Sequence, residues 1–430
     1  MSWFTVWRQA GDSSGRGRIL WRLPFFWLAL AALGAFPLRA QEAFRSSLAG
    51  QDAAETRKQA LDNQHYNLRM GPVGLRLSAQ LQTEANDNVR LEENQQHEDL
   101  VLRPQLNTVA IWRLSERNSL VLSTGVGYAR YLNETEPGRV YVTPNSDLSL
   151  DLYAGDFLIN FHDRFSYLQD VVADAQIAGI GSLNRIENTS GVGVTWDLNK
   201  LILGLVYDHS IYVATDDAYS YQDRSGELFN ANAMFTISPT TVAGLAVNGG
   251  LVNVEHHGGP LNDNQQIGAG PVLMIQLSDY FSLRASLGYA VYFFDQTGTN
   301  SPASSTGALY ADLTLQQRVN DSLSQSASIG RQLQSGLFSD TVDLIYVRYG
   351  ADWRVFRETS FHPSFSYEHV HQSLGQTEDA DRYGINLAFG RQLTEKLSGD
   401  LQYNFYLRDS DVASRSYTQN RLVLTLVYAF

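Results

Sequence analysis

The segment EHVHQ sets His369 and His371 two residues apart, so both imidazoles fall on one face of a strand. Two rings can begin a metal site, but zinc-type chemistry asks for further ligands, and no third can be named beside them. His256 and His257 stand in a Gly-rich stretch beside acids and read as part of a solvated loop. The remaining histidines are His65, His97, His162, His209 and His362. Acyl transfer or proteolysis needs a Ser–His or paired Asp–His constellation. The patterns G-x-S-x-G, H-E-x-x-H and the P-loop are all missing from the sequence. The acidic runs NDN, TDD and TEDAD suit divalent cations bridging lipopolysaccharide, yet their spacing is not that of an EF-hand loop, and a hydrated rim accounts for them. The expectation is therefore no catalytic residue, no metal and no cofactor.

Arginine is the residue left to carry chemistry. The 430 residues hold 32 Lys and Arg together, and lysine occurs only at Lys58, Lys200 and Lys396. Net charge is −13, so the basic footprint of a nucleic-acid partner is missing. Cysteine is absent, which excludes a disulfide framework and a lipid-modified N-terminal cysteine.

What positions the arginines is a period of two that runs almost unbroken after Gly71. In FSLRASLGYAVYFF, Phe281, Leu283, Ala285, Leu287, Tyr289, Val291 and Phe293 share one face, and Ser282, Arg284, Ser286, Gly288 and Ala290 the other. In KLSGDLQYNFYLRD, Leu397, Leu401, Tyr403, Phe405 and Leu407 oppose Ser398, Asp400, Gln402, Asn404 and Arg408. A helix would scatter these apolar residues around its circumference; a strand gathers them on one side.

The connections alternate in length. Short turns at RLSERNS, AGD, LNK, SPTT, LSDY, VNDS, FRETS and LTEK separate longer polar stretches such as EANDNVRLEENQQHED, NETEPGRVYVT, ATDDAYSYQDR, HHGGPLNDN, QTGTNSPASS and GQTEDAD. Eight turns and nine loops predict eighteen strands between residues 72 and 430. Sixteen is the alternative, because 145–154 and 322–334 are the weakest, the latter with Arg331 on its apolar face. Strands of about 10 residues that alternate in this way form a transmembrane antiparallel up-and-down β-barrel, with short turns in the periplasm and long loops outside. A large soluble β-sandwich or propeller explains the alternation but not the asymmetry of the connections.

If the Leu/Phe faces meet lipid, the opposite faces line the lumen. They carry Arg76, Arg103, Arg164, Arg284, Arg318, Arg348, Arg354, Arg382, Arg408 and Arg421, with Asp147, Asp151, Asp197, Asp208, Asp312, Asp352, Glu368 and Asp400. The planar guanidinium fork suits carboxylate- or sulfate-bearing solutes. Arg284, Arg348 and Arg382 are expected to bias an open channel weakly toward anions. Mixed Arg/Asp ladders that merely rigidify the interior are the plainer reading of any single arginine, and inward-folded loops would narrow the bore.

The two ends add a route to the membrane. Arg8, Arg16, Arg18 and Arg22 precede the apolar LPFFWLALAALGAFPL, and LRA–QEAF offers a cleavage site after Ala40. Residues 1–40 read as a secretory signal peptide, with a retained anchor helix as the alternative. Residues 41–71 read as a disordered or part-helical periplasmic arm, or as a plug in the lumen. The terminal strand NRLVLTLVYAF ends on Tyr428 and Phe430, the kind of aromatic end that barrel-assembly machinery reads, and a strand that pairs with the first has no edge to protect.

Two stretches resemble the putative outer-membrane β-barrel porins of type 2, a family associated with exopolysaccharide genes. One is the opening hairpin LRLSAQLQTEANDNVRLEENQQHEDLVLRPQL, with Asn86, Asp87 and Asn88 in its loop and Pro104 and Leu106 on its return strand. The other is the repeated phrase LSERNSLVLSTGVGYARY and LSDYFSLRASLGYAVYF. The resemblance implies an outer-membrane barrel of Gram-negative bacteria, with polysaccharide export as one role. The expected function is a porin-like channel for hydrophilic solutes; the alternative is a structural or enzymatic barrel with a blocked lumen. Expected partners are outer-membrane lipid and lipopolysaccharide, the assembly machinery and a polysaccharide.

Overall fold

A computed structural model describes residues 66–115, 117–168, 176–180, 183–255, 259–298, 304–375 and 377–430. The signal peptide, most of the arm, His65, His256 and His257 lie outside the described residues.

The strands are β1 (Leu68–Met70), β2 (Val73–Asn86), β3 (Asp99–Arg113), β4 (Ser119–Tyr131), β5 (Arg139–Ala154) and β6 (Phe157–Leu168). Then follow β7 (Arg185–Asp197), β8 (Leu201–Ala214), β9 (Arg224–Ser238), β10 (Thr241–Val254), β11 (Asn264–Ser278), β12 (Phe281–Phe294) and β13 (Ser304–Asn320). The last are β14 (Leu323–Ser335), β15 (Ser339–Phe356), β16 (Thr359–Gly375), β17 (Glu378–Gln392), β18 (Leu397–Ser410) and β19 (Tyr417–Ala429). Each pairs antiparallel with its sequence neighbour, and β19 returns to β2 with Leu426 opposite Leu81. The result is a closed barrel of 18 strands, β1 being a short addition to the foot of β2. Closure gives every strand two neighbours, which is what a spanning sheet needs where no water can serve its backbone.

The period of two decides which surface goes where. Leu81, Leu106, Leu205, Leu245, Leu287, Leu309 and Leu424 are exposed on the outer face, the lipid-facing band of the barrel. Exposed aromatics edge the band. Trp112, Trp196, Tyr280, Trp353 and Phe356 stand at the short-turn end and Tyr207, Tyr383 and Tyr403 toward the other, the placement their amphipathic rings prefer at a membrane interface.

Several expectations need correction. The end of the arm is neither disordered nor helical: Leu68–Met70 pairs with Val73–Leu75 around Gly71, whose φ of 60° suits glycine. The weak strand at 145–154 is longer, Arg139–Ala154, and its broken alternation comes from register shifts between Ser123 and Val126 and between Val142 and Ser146. With it in place the alternative of sixteen strands falls. GQTEDAD is not a long loop. Glu378, Asp379 and Asp381 belong to β17, held there by Gln372, His371 and His369 on β16. Arg331 does lie on the outer face, where Asp343 takes its Nε and Nη2 at 3.0 and 2.6 Å.

Candidate functional site

The ladder register places the arginines expected to line the lumen on the inner face. Arg103 lies opposite Gln82, Arg164 opposite Asp147, Arg284 opposite Thr314 and Arg348 opposite Ser366. Arg382 stands directly across from Arg408. Asp312 and Asp400 share that face, opposite Gly330 and Gly390.

In the long-loop half these side chains are organised as three units of one buried glutamate between two arginines. Arg421 grips Glu84 with two bonds of 2.9 Å, and Arg103 completes the unit from the next strand. Glu368 accepts from Arg348 at 2.6 Å and from Arg382 at 3.1 Å. Glu378 forms ion pairs with Arg408 at 2.7 Å and with Arg415 at 2.9 Å. Glu378 and Arg408 have fully buried side chains. A buried guanidinium without a counter-ion is very costly, so each glutamate is the condition for two arginines to be inside at all.

The wall at β5–β8 is built differently. His162 lies between Asn160, 2.9 Å from Nδ1, and Asp208, 2.6 Å from Nε2, and Asn160 donates on to Asp151 at 2.8 Å. His162 and Asp208 reach each other over Gly191 on the strand between them, where a Cβ would lie 2.1 Å from the Asp208 carboxylate. Both ring nitrogens of His162 are taken, so it is not poised as a general base for a serine. The same device recurs at Gly330, over which the Tyr346 hydroxyl donates to Asp312 at 2.6 Å. His369 and His371 face outward and hold Asp381 and Asp379 at 2.9 and 2.7 Å.

The short-turn half is open by contrast. Arg76, Arg284, Arg318 and Arg354 are exposed on the inner face. Among the described residues none of Arg76, Arg284 and Arg354 has an ion-pair partner, while Arg318 lies over the Tyr280 ring at 5.4 Å. A recess of about 390 Å³ opens there between Arg354, Arg357, Ser360, Gly390, Asp400 and Thr425.

Loops span the other end. Leu91, Ile177, Ala178, Leu183 and Leu337 from three connections form one buried apolar cluster with Tyr212 on β8 and Tyr417 on β19, three well-separated sectors of the ring. Gly179 N–H donates to Leu91 O at 2.9 Å and Leu337 N–H to Gln176 Oε1 at 3.0 Å. Arg415, already on Glu378, donates to Gln176 O at 2.7 Å and lies over Phe338. Glu84, Glu378 and Arg415 escaped sequence reasoning. All three belonged to stretches read as loops, although Glu84 continues the polar face of QLQTEAN at the end of β2.

No family model matches the chain, and no curated protein matches it. Among solved structures it is similar to OccK1 (OpdK) of Pseudomonas aeruginosa, with a TM-score of 0.49 and 12% identity over 83% of this chain and 99% of that one. For OpdL of the same organism the TM-score is 0.46, with 10% identity over 84% and 100%. For OccK2 (OpdF), solved with glucuronate, it is 0.47, with 13% identity over 83% and 98%. The barrel assignment stands on its own strand pairing, and the resemblance to the type 2 porins rests on the two quoted stretches.

Proposed function

We propose that this chain is an outer-membrane channel of the Gram-negative envelope for small hydrophilic solutes, with its short turns in the periplasm. The observation that carries the reading is the polar inner wall under an apolar outer band, entered from the short-turn end past exposed arginines. Arg76, Arg284, Arg318 and Arg354 are the groups with charge left for a solute. Arg348 and Arg382, expected to set selectivity, share Glu368 and are neutralised in part by it. The channel favours anions weakly. In planar bilayers under a salt gradient, R76Q/R284Q/R354Q moves the reversal potential toward cations; an unchanged potential sinks the assignment of these three.

The loop cluster across the other half supports a second reading, a barrel whose lumen is shut at rest. Wild-type protein without current steps favours it. Polysaccharide export has no geometric support here, since a sugar chain would have to cross that cluster. Tyr428 and Phe430 remain the proposed assembly signal, with lipopolysaccharide as the lipid neighbour. Orientation is checked with single cysteines, the native chain having none: E134C labels with an impermeant reagent on intact cells and N118C does not.

A further inference from the structure

The wall is not zipped to the same height all the way round. β13 and β14 pair from Asn320↔Leu323 up to Ala311↔Arg331, where their ladder ends. Above that point Ser304–Tyr310 pairs only with β12, and Gln332–Ser335 only with β15. The tip of the β14–β15 hairpin has parted from β13 and leans inward, while its β15 arm stays paired with β16 as far as Ser339↔Gly375. Leu333 packs on Ala290, Tyr292 and Phe294 of β12, and the Tyr292 hydroxyl donates to Leu333 O at 3.1 Å. Beyond it Asp340 takes the Asn262 N–H and Nδ2 at 2.8 and 2.7 Å. Arg224 donates to Gly336 O at 3.2 Å. Leu337 then joins the apolar cluster that spans the lumen.

The tip's sequence suits a second position equally well. Continuing the β13–β14 register sets Leu309 opposite Leu333, Ala308 opposite Gln334 and Gly307 opposite Ser335. Leu333 would then face lipid beside Leu309, which is 58% exposed, and Gln332 and Gln334 would face the lumen. That is the apolar-out, polar-in rule of the rest of the wall. In the observed position the β13–β14 ladder is interrupted instead. Ser304 Oγ and Ser335 Oγ, one on each side of the seam, are buried without a hydrogen-bond partner.

We propose that the β14–β15 hairpin tip is a two-position flap. Folded in, as observed, it closes the long-loop end. Swung out about Ala311↔Arg331, it zips onto β13 and opens the bore. The inward position gains the packing of Leu333 and Leu337 and the bonds of Asp340 and Gly336; the outward one regains ladder bonds. Terms of this kind are comparable, the condition for an element with two discrete arrangements. The opening of the bore rests on the channel reading above; the movement does not.

Paired cysteines test it in the full chain. Folded in, Leu309 and Leu333 lie on opposite faces of β13; zipped, they are cross-strand neighbours within disulfide reach. Under mild oxidant in membranes, L309C/L333C links in part, as does the second pair A308C/Q334C. The control L313C/I329C, opposite each other in the existing ladder, links fully. N262A, which removes the Nδ2 bond to Asp340 and leaves the backbone one, raises the linked fraction of the first two pairs by roughly tenfold and leaves the control unchanged. Linked L309C/L333C conducts more than its reduced form. A control that links while both upper pairs stay unlinked, with and without N262A, overturns the flap. Linking without any rise in current upholds the movement and overturns the channel reading beneath it.

Discussion

The two halves of the lumen use the same side chain in opposite ways. Toward the long loops, Arg103, Arg348, Arg382, Arg408, Arg415 and Arg421 are held in pairs on Glu84, Glu368 and Glu378. Toward the short turns, Arg76, Arg284 and Arg354 stand in solvent without an ion pair among the described residues. Burial is the difference. Where loops cover the wall, water cannot solvate a guanidinium, and a carboxylate must take its place. Where the lumen is wet, the charge is already solvated and needs no carboxylate beside it. An arginine on an inner face is thus held in an ion pair or left in water according to what covers it.

The largest expected effect lies in the covered half. Glu378→Gln removes the carboxylate that Arg408 and Arg415 share in a buried site, at a cost of about 3–5 kcal/mol. It also loosens Arg415 from the loop cluster. The midpoint of urea unfolding, followed by heat-modifiable mobility, should fall accordingly. Arg354→Gln in the open half should leave the midpoint in place. Equal losses in both variants would erase the distinction between the halves.

Gly191→Ala comes next. Its methyl enters the space of the Asp208 carboxylate and forces the His162–Asp208 bridge apart, an overpacking cost of about 1–3 kcal/mol by the same assay. No loss there would mean that the bridge gives way freely. On transport, R348Q/R382Q should move the reversal potential less than R76Q/R284Q/R354Q, because removing the first pair also unmasks Glu368 only within a covered site. A larger shift from the covered pair would place the selectivity region in the wrong half. The smallest effect belongs to Arg331→Ala. Its partner Asp343 is on the outer face and Arg331 itself is exposed, so the loss should stay within about 1 kcal/mol.

Much of the wall was legible in the residue order. Alternation in FSLRASLGYAVYFF and KLSGDLQYNFYLRD marks both faces of β12 and β18, and the contrast of short turns with longer loops marks the two ends. The misreadings came where local pattern and distant partner disagree. The run TEDAD looks like a loop because it is acidic. It is strand because His369, His371 and Gln372 stand across from it. β5 looked short because its register shifts break the alternation, although its neighbours keep it paired.

Which arginines are neutralised could not be read from the order of residues. Arg421 and Glu84 are 337 positions apart and meet only because β19 closes on β2. Arg415 reaches Gln176 across 239 positions because two loops fold into the same lumen. Side-chain alternation is a property of consecutive residues, imposed by the pleat wherever a strand forms, so the chain alone determined the strands, their faces and the ring they call for. Charge pairing, loop burial and the inward lean of the β14–β15 tip depend on which strands closure brings together. Those were decided by tertiary structure, where the cost of a dry charge is assessed against neighbours hundreds of residues away.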